Sequence, residues 1–213
     1  YAAAYPQDVG GHTVYRCSGQ AVEQRLGKEA WFVETLRREL AEGRNVLVFL
    51  WHKELAARLR LLCQDAGVDD AVVLDANKVP ARKRQDWIDK YVVSQRKRVL
   101  ITNPTCVQTG LNNLIHFSSA VFFENPGCSP FVARQAVGRL DRITQTKEVR
   151  IYWPVYAGVQ CALLDLLQNK TAISQQIDGI DPTAALEMAG GGEATAQSLD
   201  VGMAVYKYLG GEG

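Results

Sequence analysis

The sequence predicts an α/β fold built on a mainly parallel sheet, and three observations carry that expectation. Short, continuous apolar runs recur, as in VLVFL at Val46–Leu50 and VLIT at Val99–Thr102. Runs without polar alternation are the mark of strands buried on both faces. Between the runs lie longer stretches whose apolar residues fall at helical spacing. Gly43, Gly67 and Pro80 punctuate the changes from one pattern to the other. Strands and helices alternating at this spacing make βαβ units, whose parallel strands need helices on both faces.

Taken in order, residues 1–27 are Gly-rich and mixed, and read as an irregular lead-in. Lys28 to Glu42 places apolar residues at 32, 33, 36 and 40, an amphipathic helix that Gly43 ends. Val46–Leu50 is the first strand, and His52 to Ala66 a helix stopped by Gly67. Ala71–Leu74 is a short strand, and Pro80 to Val93 a helix with proline near its first turn. Val99–Thr102 and Ala120–Phe123 are strands; Ser129 to Leu140 is a helix with Ser129 as N-cap and Pro130 at its first position. Arg150–Val155 is a further strand and Gly158 to about Gln176 a further helix. After Ile177 the pattern fades into a linker around AGGGE, with a short helix expected from Leu199 to Leu209. The domain reading is therefore 1–43 as lead-in and helix, 44–177 as one α/β lobe, and 178–213 as an acidic, Gly-rich tail. No internal repeat is visible.

Composition supports a globular core, with 47% apolar and 22% charged residues over 213 positions. A net charge of +1 is low for a free-standing nucleic-acid binder, so any such contact is expected to be local. The charge is uneven. Lys78 to Arg98 holds eight basic and two acidic residues, whereas Asp178 onward holds six acidic and one basic. Such runs are either solvated faces or contact surfaces. The five cysteines are dispersed with no CxxC pair and the three histidines are isolated, so no structural metal and no disulfide framework is expected. Free thiols suit a reducing compartment, the cytoplasm or, in a eukaryote, the nucleus. No apolar run approaches the roughly 20 residues of a membrane span, and YAAAYPQDVGG lacks the pattern of a signal peptide.

The most specific string is Gln135-Ala-Val-Gly138-Arg139-Leu-Asp-Arg142-Ile-Thr-Gln145, which contains QxxGRxxR followed three residues on by Gln. Upstream stands VLITNPTCVQTGLNNL, a strand, a loop and then Thr109-Gly110-Leu111-Asn112. VFFENPGCSPFVARQ joins the two, while NVLVFLWHKELAARL and LDANKVPARKRQDWIDKY precede them. In this order the strings resemble motifs VI and V, and the segments around them, of superfamily 2 helicases and translocases. The terminal I-x-Q is similar to the Swi/Snf branch. The resemblance covers about residues 44–176. It departs from the family at Pro104, where a Thr is usual, at Ala76 for Gly, and at Glu124 for Asp.

The resemblance implies a RecA-like lobe with three α/β/α layers, the second of two lobes in a nucleic-acid motor. ATP with Mg2+ would be bound mainly by the first RecA-like lobe of the same parent chain. Arg139 and Arg142 would reach the ATP phosphates as catalytic groups, with Gln135, Gly138 and Gly110 on the nucleotide side. Thr109, Thr105, Asn103, Arg84, His52 and Lys53 would face nucleic acid, expected to be DNA, with RNA open. The chemistry is consistent: a transferring phosphoryl group spreads charge that a guanidinium fork neutralises, an effect of about 10³–10⁵ in rate for arginine fingers. Backbone N–H groups and Thr hydroxyls bind phosphate oxygens without reading sequence.

Bland readings stand beside these. The arginines are otherwise a surface charge cluster, the Thr109-Gly110 segment an ordinary βα loop, and His52 a helix-start residue. The sequence contains no GxxxxGK[ST] loop and no DExH or DExD box, so the chain alone is expected to hydrolyse no ATP. The other readings are a non-catalytic Rossmann-like binding or interaction module and, less compatible with the absent phosphate cradle, a complete small nucleotide-binding enzyme.

Overall fold

The computed structural model describes residues 26–107, 111–124, 130–157 and 159–177. Five strands form one all-parallel sheet: β1 (Val46–Phe49), β2 (Val72–Leu74), β3 (Val99–Thr102), β4 (Ser119–Phe122) and β5 (Arg150–Tyr152), in the order β2-β3-β1-β4-β5. Central β1 pairs Val46 with Val99 on one side and with Ser119 on the other. Parallel neighbours require crossovers, and the helices supply them.

The alternation of side chains along β1 divides the core into two clusters. Val46, Val48 and Leu50 face one side of the sheet, where they meet Val99, Ile101 and Val121 from neighbouring strands. α1 (Gly27–Ala41) covers that side with Phe32, Val33 and Leu36, and α2 (Ala56–Asp65) with Leu59, Leu62 and Cys63. Leu47 and Phe49 face the other side with Leu100, Ala120 and Phe122. There they are covered by Ile88 and Val92, from α3 (Arg84–Ile88) and the π-helical turn Asp89–Val93, and by Ala136 of α4 (Pro130–Val137). Each fully buried residue of this kind contributes about 1.5–3 kcal/mol, so the two clusters are what hold the three layers together. α5 (Val159–Ile177) packs on α4.

The elements match the expectations closely, and the differences have local causes. Leu50 and Phe123, read as strand residues, lie just past their strands; their N–H groups still bond Thr102 and Phe49 carbonyls at 3.0 and 2.9 Å. β5 stops at Tyr152 rather than Val155, because Pro154 has no N–H to donate to a neighbour. The expected single helix from Pro80 to Val93 is three pieces: a 3-10 turn at Ala81–Lys83, α3, and the π turn. The helix expected from His52 begins with a 3-10 turn at Lys53–Leu55. The lead-in up to residue 25, the Ser129 cap and the Leu199–Leu209 helix lie outside the described residues.

At the amino ends of the strands a buried charge network ties α1 to β4 and β5. Glu39, fully buried, pairs with Arg44 at 3.0 Å and accepts Ser119 Oγ–H at 2.5 Å and Tyr152 O–H at 2.6 Å. Arg44 also donates Nε–H to Ser119 Oγ at 2.8 Å and Nη2–H to the Ser118 and Glu148 carbonyls. Burial works against the charge on Glu39, but hydrogen bonds from Ser119 and Tyr152 and the nearby Arg150 prevail, holding its carboxyl below the ordinary glutamate value.

Candidate functional site

The expected site residues fall into two groups on different elements. The first gathers where β1, β3 and β4 end, the edge at which open α/β sheets place ligands. Glu124, two residues past β4, turns its carboxylate back over β1. Its Oε2 accepts the backbone N–H groups of Trp51 and His52, both at 2.7 Å, and its Oε1 lies 2.8 Å from His52 Nδ1. One carboxylate thus satisfies two donors that β1 leaves unpaired and fixes the direction of the chain leaving the strand.

Asn103 does the equivalent work beyond β3. Its Nδ2 donates to the Trp51 carbonyl at 3.1 Å, while its Oδ1 accepts Thr105 N–H at 2.9 Å and Thr105 Oγ–H at 2.6 Å. This Asx turn joins the β1 and β3 ends into one rim. The rim borders a cleft of about 830 Å³ lined by Trp51, His52, Lys53, Asn103, Thr105 and Asp75. His52 and Lys53 are exposed there, the His52 side chain by 59%. Lys28, on the first turn of α1, reaches the same edge with Nζ 5.0 Å from the centre of the Phe123 ring. Burial lowers the Lys28 pKa, and the charge of Glu124 partly opposes that shift. The cleft is thus lined by Lys53, Lys78 and Thr105 together with Glu54 and Asp75, on a backbone pinned by Glu124 and Asn103.

The second group lies at the end of α4. Gly138 follows the helix where the chain tightens: a Cβ there would meet the Arg134 carbonyl at 3.2 Å. Glycine thus has a packing reason at this position. Gln135 is half-buried on α4. Arg139 Nη1 donates to the Leu111 carbonyl at 3.4 Å. Arg142 is half-exposed, yet its Nε is enclosed and has no hydrogen-bond partner among the described residues. Ile143 beside it is fully exposed. Gln145 anchors the segment, its Nε2 lying 3.1, 3.1 and 3.2 Å from the carbonyls of Ile115, Phe117 and Leu140.

Arg84 belongs to neither group. Its Nη1 donates to the Cys106 carbonyl at 3.1 Å and its Nε to the Val79 carbonyl at 3.3 Å. Thr109 and Gly110 lie outside the described residues, as do Asn125 and Pro126. The two groups are joined through the segment after β3, because α4 packs on the 3-10 turn Pro104–Val107. Among the described residues no group of three or more His, Cys, Asp or Glu could hold a metal ion. Nor is any helix among them long and apolar enough to cross a membrane.

Sequence reasoning treated Glu124 only as a departure from the family and gave Lys28 and Gln85 no role. Their partners are 72 or more residues away in the chain for Glu124 and 27 for Gln85, distances at which no local pattern can signal a contact.

No family model and no curated protein matches the chain. Among solved structures, the C-terminal part of the Fun30 ATPase domain superposes on it with a TM-score of 0.58 at 22% identity, over 66% of this chain and 45% of that one. The match thus spans less than half of that structure. With its all-parallel sheet covered on both faces, the chain has the RecA-like α/β fold of that ATPase part.

Proposed function

We propose that this chain is the second motor lobe of an ATP-dependent nucleic-acid translocase or helicase, acting on DNA in the first instance. It would dock on a first RecA-like lobe of the same parent chain, which holds ATP with Mg2+. The observation that carries the reading is the end of α4. Arg139 and Arg142 lie three residues apart in the segment after α4, and Arg142 Nε is enclosed without a partner among the described residues. Arg142 as a whole is half-exposed, and the fork of a guanidinium is matched to a multivalent anion brought by a second body. The fold shared with the Fun30 ATPase part gives that second body a reason to exist.

In this reading Arg142 and Arg139 neutralise charge developing on the transferred phosphoryl oxygens. Gln135, Gly138 and Gly110 sit on the nucleotide side. His52, Lys53, Asn103, Thr105 and Thr109 hold the nucleic-acid backbone along the strand ends. Mg2+ would supply charge neutralisation on the phosphates, and no metal-binding cluster among the described residues assigns it to this lobe.

Arg142→Ala in the intact parent should lower kcat by at least about 10²-fold with folding unchanged. Steady-state phosphate release at saturating duplex DNA measures it. Wild-type turnover at equal thermal stability would remove Arg142 from the phosphates and return the α4 end to a surface charge cluster.

A further inference from the structure

Leu111 and Asn112 share one peptide group, and side chains from two other elements hold its two ends. The carbonyl, that of Leu111, accepts Arg139 Nη1–H at 3.4 Å. The N–H, that of Asn112, donates to Gln85 Oε1 at 2.9 Å. Gln85 lies in α3 and Arg139 in the turn after α4, so this single amide plane bridges them.

Gln85 is itself well fixed. Its carbonyl accepts Asn113 Nδ2–H at 3.0 Å, and the same Nδ2 reaches Asp89 Oδ1 at 2.8 Å. Gln85 Nε2 donates to Asp89 Oδ2 at 3.3 Å. Its neighbour Arg84 holds the Cys106 carbonyl. Asn112 and Asn113 are thus tied to α3 and to the π turn after it by three side-chain bonds. An amide is planar and stiff, so turning it to favour one bond changes the other. Hydrogen bonds to its two ends also polarise each other.

We infer that Gln85 is a positioning residue for Arg139, acting through the Leu111–Asn112 peptide. The long bond to Leu111 leaves Arg139 able to exchange that carbonyl for an anionic acceptor, since charge-assisted bonds are about twice as strong. The turn before α3 exposes Arg82 and Lys83. A load on that turn is therefore felt at Arg139, and a ligand on Arg139 is felt at α3, with equal coupling in both directions. The meaning of this coupling in a motor rests on the function proposed above. Its existence in the fold does not.

The test uses the full 213-residue chain and nuclear magnetic resonance of its backbone amides and arginine side chains. Gln85→Met removes the acceptor with little change in bulk; Gln85→Glu, made together with Asp89→Asn so that no second carboxylate faces it, keeps an acceptor for Asn112. Met should shift the Arg139 Nε resonance and Glu should restore it, with the β1, β3 and β4 amides unmoved in both. The reciprocal variant, Arg139→Lys, should speed hydrogen exchange at the Asn112 amide by about fivefold, the factor for loss of one ordinary hydrogen bond. It keeps the inference testable if Gln85→Met does not fold. An Arg139 resonance unchanged in folded Gln85→Met, or an Asn112 amide unchanged in Arg139→Lys, would overturn the assignment. A short DNA duplex then separates this from the proposed function. In the wild type it should shift both Lys83 and Arg139, and in Gln85→Met only Lys83. Duplex that moves no resonance of the wild type counts against the motor reading, while the ligand-free comparison still decides Gln85.

Discussion

Glu39 is fully buried, and its neighbours explain how its carboxyl is held below the ordinary glutamate value. Ser119, Tyr152, Arg44 and Arg150 surround the carboxylate with donors, enough to offset the cost of burial. A carboxyl whose folded pKa is depressed stabilises the fold above its ordinary value of 4.5 and loses that contribution as pH falls through the folded value. Glu39→Gln should therefore melt well below the wild type at neutral pH, by about 3–5 kcal/mol because Arg44 is left buried without its counter-charge. The gap should narrow on acidification below 4.5. Melting curves of both proteins across that range measure it, and parallel curves would show that the Glu39 charge does not contribute. Nothing in the sequence announced this network: Glu39 reads as one more polar residue on an amphipathic helix, and of its partners only Arg44 is near in the chain, Ser119, Arg150 and Tyr152 lying 80, 111 and 113 residues away. The spacing of Arg139 and Arg142 is local by contrast, so the sequence displays it directly, and their role is the one proposed above.

At the scale of elements, the apolar runs disclosed the strands because a parallel strand buried on both faces has no polar alternation to blur it. The π turn at Asp89–Val93 was not legible, since it differs from a helix by a single register step that tertiary packing selects. The α3 region also divides a charge run that the sequence presented as one block. Lys97 pairs with Asp70 at 2.8 Å, Arg98 donates to the Leu40 and Arg44 carbonyls, and Arg84 donates to Val79 and Cys106. Lys78, Arg82, Lys83, Lys90 and Arg96 remain exposed. If this face tracks a nucleic-acid backbone, Arg82→Ala with Lys83→Ala should weaken duplex binding from a non-specific range of about 10⁻⁴–10⁻⁶ M and flatten its salt dependence. Fluorescence anisotropy at two salt concentrations reads both quantities. An unchanged slope would make the exposed residues a solvated face and leave the strand-end rim as the contact.

Across the whole molecule, stability and candidate chemistry occupy different parts of the sheet. The Glu39–Arg44 network locks the amino ends of β1, β4 and β5, where no candidate site residue lies. The carboxyl ends carry the rim of His52, Asn103 and Glu124, with an open cleft beside it. In the function proposed above, such an arrangement would be one wall of a phosphate site without its floor, because the sequence has neither a GxxxxGK[ST] loop to cradle phosphates nor a DExH box to hold a metal. Removing either component from a phosphoryl-transfer site removes the positioning on which its rate depends. The purified chain should therefore release no phosphate from ATP above a mock preparation, with or without duplex DNA. A nucleic-acid-stimulated turnover by this chain alone, abolished by Arg142→Ala, would mean that it holds a complete nucleotide site and that the two-lobe reading is wrong.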